Sequence, residues 1–176
     1  ALGTPSSIEN TLSTVKDTIY YLGIDCSLRS TGVYLSTKSR DDEEVYLIRP
    51  PKSMKEGARL EYIFNQMSKI AKGKRIKLAV MEGPAFHATN RSYSMGEAYG
   101  IHKLVCSLNS IKLHIVPPCK LKKYFTGKGH GSKSAMIKAA TDIGYSGTSD
   151  DEADSMACSI LARDIHLKTN TPGRRA

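Results

Sequence analysis

The stretch that decides the fold is Ile19–Asp25, which reads IYYLGID and ends in a carboxylate. Its β-branched, aromatic and aliphatic residues predict a buried strand. A second apolar run, residues 77–82 (KLAVME), ends in the same way at Glu82. Either acid alone is explained as a surface residue where a strand meets a loop. Two strands that end alike favour a shared site at one end of a sheet.

The rest of the chain extends this pattern into a single α/β domain. Short strands are predicted at residues 32–35 and 45–48, with an acidic turn at 41–44 between them. Apolar residues that recur every three or four positions predict a helix over residues 60–71. The remaining predicted elements are a helix over 91–108, a strand over 112–116, two lysine-bearing helical segments around the glycine-rich residues 127–131, and a helix from 150 to about 163 or a little beyond.

This element order predicts a mixed five-stranded sheet flanked by helices. We expect one domain over residues 19–168, a polar N-terminal segment over 1–18 and a flexible tail over 169–176. No apolar run approaches the ~18 residues of a membrane span. The four cysteines are scattered without metal-clip spacing, which is typical of reduced thiols in an intracellular, cytoplasmic protein.

The net charge of +9 favours a polyanionic partner, with nucleic acid ahead of an anionic membrane. Residues 99–140 contain no Asp or Glu, although any single lysine there is explained by a solvated surface. The lysines of this stretch are Lys103, Lys112, Lys120, Lys122, Lys123, Lys128, Lys133 and Lys138. So long a basic stretch without counter-charge indicates nucleic-acid binding.

Asp151 and Asp154 lie one helical turn apart, so their Cβ atoms are expected ~5–6 Å apart on one face of the final helix. A structural explanation covers part of this cluster, because Ser149 and Glu152 fit a capping box and the helix dipole favours acids in the first turn. It does not cover Asp154, whose face continues through Cys158 toward apolar surroundings. Buried carboxylates that point at a core usually coordinate something.

Together the four acids predict a magnesium site, because Mg²⁺ prefers carboxylate oxygens and keeps several waters. Two ions about 3.5–4 Å apart would suit phosphodiester cleavage, since one can activate a water while the other stabilises the leaving oxygen. The five histidines show no zinc spacing.

The order of five motifs resembles the RuvC family of Holliday-junction resolvases from about residue 19 to 163. They are residues 22–27 (LGIDCS) followed by Thr31-Gly32, residues 80–82 (VME), residues 94–100 (SMGEAYG), residues 126–129 (TGKG) with 132–134 (SKS), and residues 151–157 (DEADSMA). The chain departs from the family at Cys26-Ser27, where the family has proline-glycine. Its compact size and these departures would suit a bacteriophage version, acting in the host cytoplasm.

The resemblance implies an RNase H-like fold, a homodimer and symmetric nicking of two strands at a four-way junction. By matching position it makes Asp25, Glu82, Asp151 and Asp154 the metal-binding acids and Lys133 a catalytic lysine. It implies Mg²⁺, with two ions per site and Mn²⁺ as a substitute, and no small-molecule cofactor. The candidate DNA-binding residues are Phe86, which would stack on DNA, and Arg91, Lys120, Lys122, Lys123, Lys128 and His130.

Three other functions are weighed against this one. A broader nuclease that cuts flaps, forks and Y-shaped DNA would carry the same acids, and a non-catalytic junction-binding module would not need all four. A sugar-kinase or actin-like ATPase would share a loop like residues 25–32 but needs a second such loop and a longer chain. A P-loop at residues 127–134 fails because Ser132 stands where glycine is required.

Overall fold

The structure is a computed structural model that describes residues 18–84 and 92–169. Its ten elements follow one another as β1 (Ile19–Asp25), β2 (Thr31–Ser36), β3 (Glu44–Ile48), α1 (Glu56–Ala71), β4 (Arg75–Glu82), α2 (Ser92–Leu108), β5 (Leu113–Val116), α3 (Pro118–Thr126), α4 (Lys133–Thr141) and α5 (Asp150–Thr169). The strands form one sheet in the order β3-β2-β1-β4-β5. The predicted mixed five-stranded α/β sheet is confirmed.

The pairing of the strands brings their functional ends to one edge of the sheet. β1 runs antiparallel to β2, with Asp25 opposite Gly32, and parallel to β4, with Ile24 opposite Met81. β4 runs parallel to β5, where Glu82 pairs with Val116. The last residues of β1, β4 and β5 therefore meet at one end of the sheet, beside the first residues of β2.

Both faces of the sheet are covered, because successive residues of a strand point to opposite sides. In β1, Leu22 and Ile24 pack on one face with Ile63 and Met67 of α1. Tyr21 packs on the other face with residues of α3, α4 and α5. The central strands are therefore buried on both sides, as their continuous apolar runs predict.

Helix α5 lies in direct backbone contact with β1 and β2, because both strands present a glycine to it. A Cβ atom on Gly23 would lie 1.8 Å from the carbonyl oxygen of Ser155, and one on Gly32 would lie 2.1 Å from that of Asp151. The Ser159 hydroxyl donates to the Tyr21 carbonyl at 2.9 Å. Small residues on both elements thus fix the height of α5 above the sheet.

The ends of several elements follow from local chemistry. Pro118 occupies the start of α3, and Gly127 ends that helix in a left-handed conformation with φ of 78°. Ser132 caps α4 by accepting from the amide of Ala135 at 3.2 Å. The capping box predicted at α5 is only half formed. Ser149 accepts from the amide of Glu152 at 3.4 Å, but its own amide donates to the Tyr145 hydroxyl.

Two predicted boundaries need comment. Helix α5 continues beyond residue 163 and includes Thr169, which was predicted to begin the tail, because its apolar face keeps packing on the sheet through Ile165. Of the predicted segments 1–18 and 169–176, all but residues 18 and 169 lie outside the described residues. Within the described ranges, no helix is long and apolar enough to cross a bilayer.

Candidate active site

The four predicted acids come from three elements that meet at the carboxyl end of β1. Asp25 ends β1, Glu82 ends β4, and Asp151 and Asp154 lie in the first turns of α5, which crosses over that end. Charge repulsion from Glu82, Asp154 and Asp151 raises the pKa of Asp25. Asp154 likewise raises the pKa of Glu82, and Asp151 raises that of Asp154. The structure therefore brings together the acids that the sequence places far apart.

Burial and mutual repulsion make these carboxyl groups unusually basic. Burial, followed by repulsion from Glu82 and Asp154, raises the pKa of Asp25 well above its ordinary value. Burial and then Asp154 raise the pKa of Glu82 to about 7. Burial is also the main reason why the pKa of Asp154 is raised to about 6. Clustered carboxyl groups of this kind mark functional sites, because a bound cation would relieve the repulsion.

The donor set fits a hard divalent cation. Oδ1 of Asp154 is buried and has no hydrogen-bond partner among the described residues, although buried polar atoms are nearly always paired. Across residues 18–84 and 92–169, no three acid, histidine or cysteine side chains form a ready-made ligand cage. Mg²⁺ needs no such cage, since it is usually held by one or two carboxylates, waters and substrate phosphates.

A hydroxyl that the sequence analysis missed orients one of the acids. Ser30, in the loop between β1 and β2, donates a short hydrogen bond to Oδ2 of Asp151. Nε of Arg49 donates to the same Ser30 oxygen at 3.3 Å. No signal in the sequence connects Ser30 and Arg49 to Asp151, because the pairing of β2 with β3 and the position of α5 create the contact.

Two lysines approach the acids from different helices. Lys122 of α3 is half-buried and lowers the pKa of both Glu82 and Asp154 by charge attraction. Lys133, at the start of α4, is exposed and makes a short ion pair with Asp150. The structure thus places the predicted catalytic lysine near the acids, and it adds Lys122 as a second cation there.

The other predicted DNA-binding residues are exposed on α3 or in the loop that follows it, or lie outside the described residues. Lys120 and Lys123 are exposed on α3, and Lys128 and His130 are exposed in the loop that follows. Phe86 and Arg91 lie outside the described residues.

Hydrogen bonds beneath the acids hold the loop and strand ends in place. The Tyr99 hydroxyl of α2 donates to the backbone carbonyl of Glu82 at 2.6 Å. The Thr31 hydroxyl donates to the carbonyl of Ser27 at 2.6 Å and lies 3.4 Å from the buried His102 ring. Burial lowers the pKa of His102 to about 4, so this ring is a neutral structural group at ordinary pH.

The chain is similar to known proteins in both sequence and fold. No family model matches the chain. It is 27% identical over 146 residues to the crossover junction endodeoxyribonuclease RuvC of Prochlorococcus marinus subsp. pastoris, covering 79% of this chain and 92% of that protein. It is 26% identical over 153 residues to the RuvC of Caldicellulosiruptor saccharolyticus, covering 80% and 92%.

Solved structures show the same fold. The structure of T. thermophilus RuvC in complex with a Holliday junction substrate superposes with a TM-score of 0.73 over 86% of this chain and 96% of that chain, at 17% identity. The predicted RNase H-like fold is thereby confirmed. This chain is therefore similar in sequence, over nearly their whole length, to crossover junction endodeoxyribonucleases named RuvC, and it shares their fold.

Proposed function

We propose that this chain is a structure-selective DNA endonuclease that resolves four-way junctions by paired, symmetric nicks. The observation that carries the proposal is the cluster of Asp25, Glu82, Asp151 and Asp154 at one sheet edge, with lysines beside it, in a chain that is similar to RuvC endonucleases. The acids suit phosphodiester hydrolysis, and the basic stretch suits a phosphate backbone.

RuvC nucleases are metal-dependent. We propose that the cluster holds two Mg²⁺ ions, for which Mn²⁺ can substitute, through the carboxylates of Asp25, Glu82, Asp151 and Asp154. The unpaired oxygen of Asp154 and the mutual repulsion of the acids support this assignment. When bound, the ions would supply positive charge at the scissile phosphate and lower the pKa of a water.

The protein's own side chains prepare the cluster for this chemistry. The Ser30 hydroxyl holds Asp151 in one orientation, because it donates to one carboxylate oxygen and leaves the other available. Lys122 favours the ionised forms of Glu82 and Asp154, which a cation requires. Lys133, held by Asp150, supplies a cation that can offset negative charge developing on the phosphate.

We also propose a homodimer that pairs through α2, because this helix carries an exposed stripe of small and apolar residues. Tyr93, Leu104 and Leu108 are 87%, 47% and 65% exposed, and Gly96 and Gly100 lie on the same stripe. No described atom lies within 4 Å of a Cβ built on either glycine, so they do not serve packing on their own sheet. A two-fold pairing here would supply one active site per cut strand.

The structure argues against a non-catalytic module, whereas its acids suit a broader nuclease equally well. A module that only binds junctions gains nothing from clustered, buried carboxyl groups, which repel both one another and DNA. A broader flap or fork nuclease shares the active site and differs in its preferred branch. We place the protein in the cytoplasm, where its DNA substrate and reduced cysteines are compatible, and expect no small-molecule cofactor.

The test is a panel of labelled four-way, forked, flapped and linear DNA, each incubated with Mg²⁺ or with chelator. We expect paired symmetric nicks in the four-way junction that ligase can seal, and none with chelator. Glu82→Gln and Asp154→Asn should abolish cutting yet retain junction binding, because each removes a ligand charge that faces phosphate. Normal turnover by either variant, or faster cutting of flaps than of junctions, would contradict the proposal.

A further inference from the structure

A basic pocket opens beside the active site, on the side away from α3. It lies where the loop after β1, the end of β3 and the first turn of α1 meet, and it encloses about 430 Å³. We call it the β3 pocket. Its lining residues are Leu28, Arg29, Arg49, Pro50, Lys52 and Arg59.

Four of these six side chains are cations, and no acid lines the pocket. Within the described part of the chain, no ion pair involves Arg29, Arg49, Lys52 or Arg59. One guanidinium nitrogen of Arg59 donates to the Met54 carbonyl, while its Nε is buried without a partner. Like charges gathered around a cavity repel one another, so the pocket is built to receive an anion.

The position of the pocket relates it to the acids. Arg49 reaches the Ser30 hydroxyl, which in turn holds Asp151, so one chain of hydrogen bonds joins the pocket to the active site. Arg49 follows the end of β3, and β3 lies two strands from β1 in the sheet. Two strand spacings are about 10 Å. Phosphates follow one another every 3.4 Å of axis along each DNA strand, so this separation corresponds to roughly three phosphates.

We propose that the β3 pocket binds a backbone phosphate of the cut strand, within about three phosphates of the scissile bond. The inference rests on the proposed function and deepens it. Helix α3, whose Lys122 acts on Glu82 and Asp154, follows β5 in the chain, and β5 forms the opposite edge of the sheet from β3. A strand that crosses this end of the sheet can therefore meet cations on both flanks of the acids. Guanidinium groups match phosphate in a bidentate geometry.

The pocket binds phosphate rather than reading a base. Apart from its cations it offers only Leu28 and Pro50, so it has no aromatic ring to stack on a base and no carboxylate or amide to pair with cytosine or adenine. Arginine and lysine can pair with a guanine edge, but four clustered cations match the negative charge that the backbone carries at every nucleotide. The contact therefore positions the strand for cutting at any sequence.

The test uses the full chain with Asp154→Asn, which permits binding without cutting, and four-way junctions that carry one neutral methylphosphonate linkage at successive positions. When Asp154→Asn is the only change in the protein, junction binding should weaken several-fold if the neutral linkage lies within about three phosphates of the cut site. Arg49→Gln with Lys52→Gln should remove this sensitivity at those positions and retain it elsewhere. The slope of log K against log salt should become shallower by about 0.9, since one phosphate contact is lost.

The matched control is Lys72→Gln with Lys77→Gln, which removes the same charge from exposed residues near the opposite end of the sheet. It should leave the methylphosphonate pattern unchanged. Arg49→Lys keeps the charge but loses the planar fork, so it should weaken binding at the same positions by less than the double variant does.

The outcomes separate this inference from the proposed function. If the Asp154→Asn protein binds junctions and the pocket variant shows the same methylphosphonate pattern as its parent, the pocket inference is wrong and the proposed function stands. A protein that does not distinguish junctions from linear DNA would overturn both. Loss of sensitivity at the predicted positions, in the pocket variant and not in the control, supports the inference.

Discussion

Replacing Gly23 by Ala tests the contact that sets the position of α5 over the sheet. The added Cβ would lie 1.8 Å from the Ser155 carbonyl oxygen and 2.4 Å from the Ser159 amide nitrogen, whereas ordinary contacts begin near 3.4 Å. Both neighbours are backbone atoms, so no side chain can rotate away. Helix α5 must therefore retreat from β1 by about 1.5 Å in a close-packed interior.

This movement acts on stability and on cleavage separately. Forcing a methyl group into a packed core costs roughly 1–3 kcal/mol or more. For a chain of this size, that corresponds to a fall in Tm of roughly 2–12 °C. The retreat also moves Asp151 and Asp154 relative to Asp25, and a displacement of about 1 Å can cost 100-fold in rate. Cleavage should therefore fall at least about 100-fold at a temperature where the variant is still folded.

The assay pairs thermal unfolding, followed by circular dichroism, with single-turnover cleavage of a labelled four-way junction. Gly57→Ala is the control, because its Cβ would meet no atom within 4 Å and it lies in a helix. It should leave cleavage unchanged and keep or raise Tm, since alanine favours a helix by up to about 1 kcal/mol. If Gly23→Ala matched the wild type in Tm and rate, the close contact between α5 and β1 would be refuted.

Three further predictions concern metal, DNA and symmetry. The raised pKa of Glu82, about 7, means that the metal-free protein should lose stability as pH rises from about 4.5 to 7, because the folded state then holds a proton that the unfolded state has released. Mg²⁺ should restore Tm at neutral pH, and Asp154→Asn should reduce that gain; a metal-independent Tm would contradict the site. Replacing Lys122 and Lys123 by Ala should make the salt dependence of junction binding shallower by about 1.8, and an unchanged slope would place α3 away from DNA. A mixed dimer of wild type and Asp25→Asn should nick one strand and stall, whereas a monomer in sedimentation, alone and with DNA, would argue against paired cutting.

The sequence alone predicted the elements well, because their signals are local. The apolar run of Ile19–Asp25 and the recurrence of apolar residues over 60–71 each describe one strand or helix, and both are confirmed. Pro118 and Gly127 likewise predicted where β5 and α3 end. The end of α5 was predicted too early, since burial by a neighbouring sheet, and not helix propensity, keeps its last turns helical.

The candidate acids could also be recognised from the sequence, because a carboxylate at the end of an apolar strand interrupts the run of apolar residues. Asp25 and Glu82 were recognisable for this reason, and Asp154 because helix capping does not account for it. Strand pairing and the close contact of α5 with β1 and β2 bring them to one end of the sheet, while their roles as metal ligands stay predictions.

Only the tertiary structure decided which charged residues, far apart in the sequence, lie together at one edge of the sheet. Strand pairing and the glycine contacts beneath α5 join Ser30 and Arg49 to Asp151, and they gather the cations of the β3 pocket from three separate segments. Each of those residues is an ordinary surface residue in its own segment. The sequence determines the local elements and the chemistry of each side chain, because both depend on near neighbours along the chain. The pocket and the orientation of the acids depend on neighbours that only folding brings together.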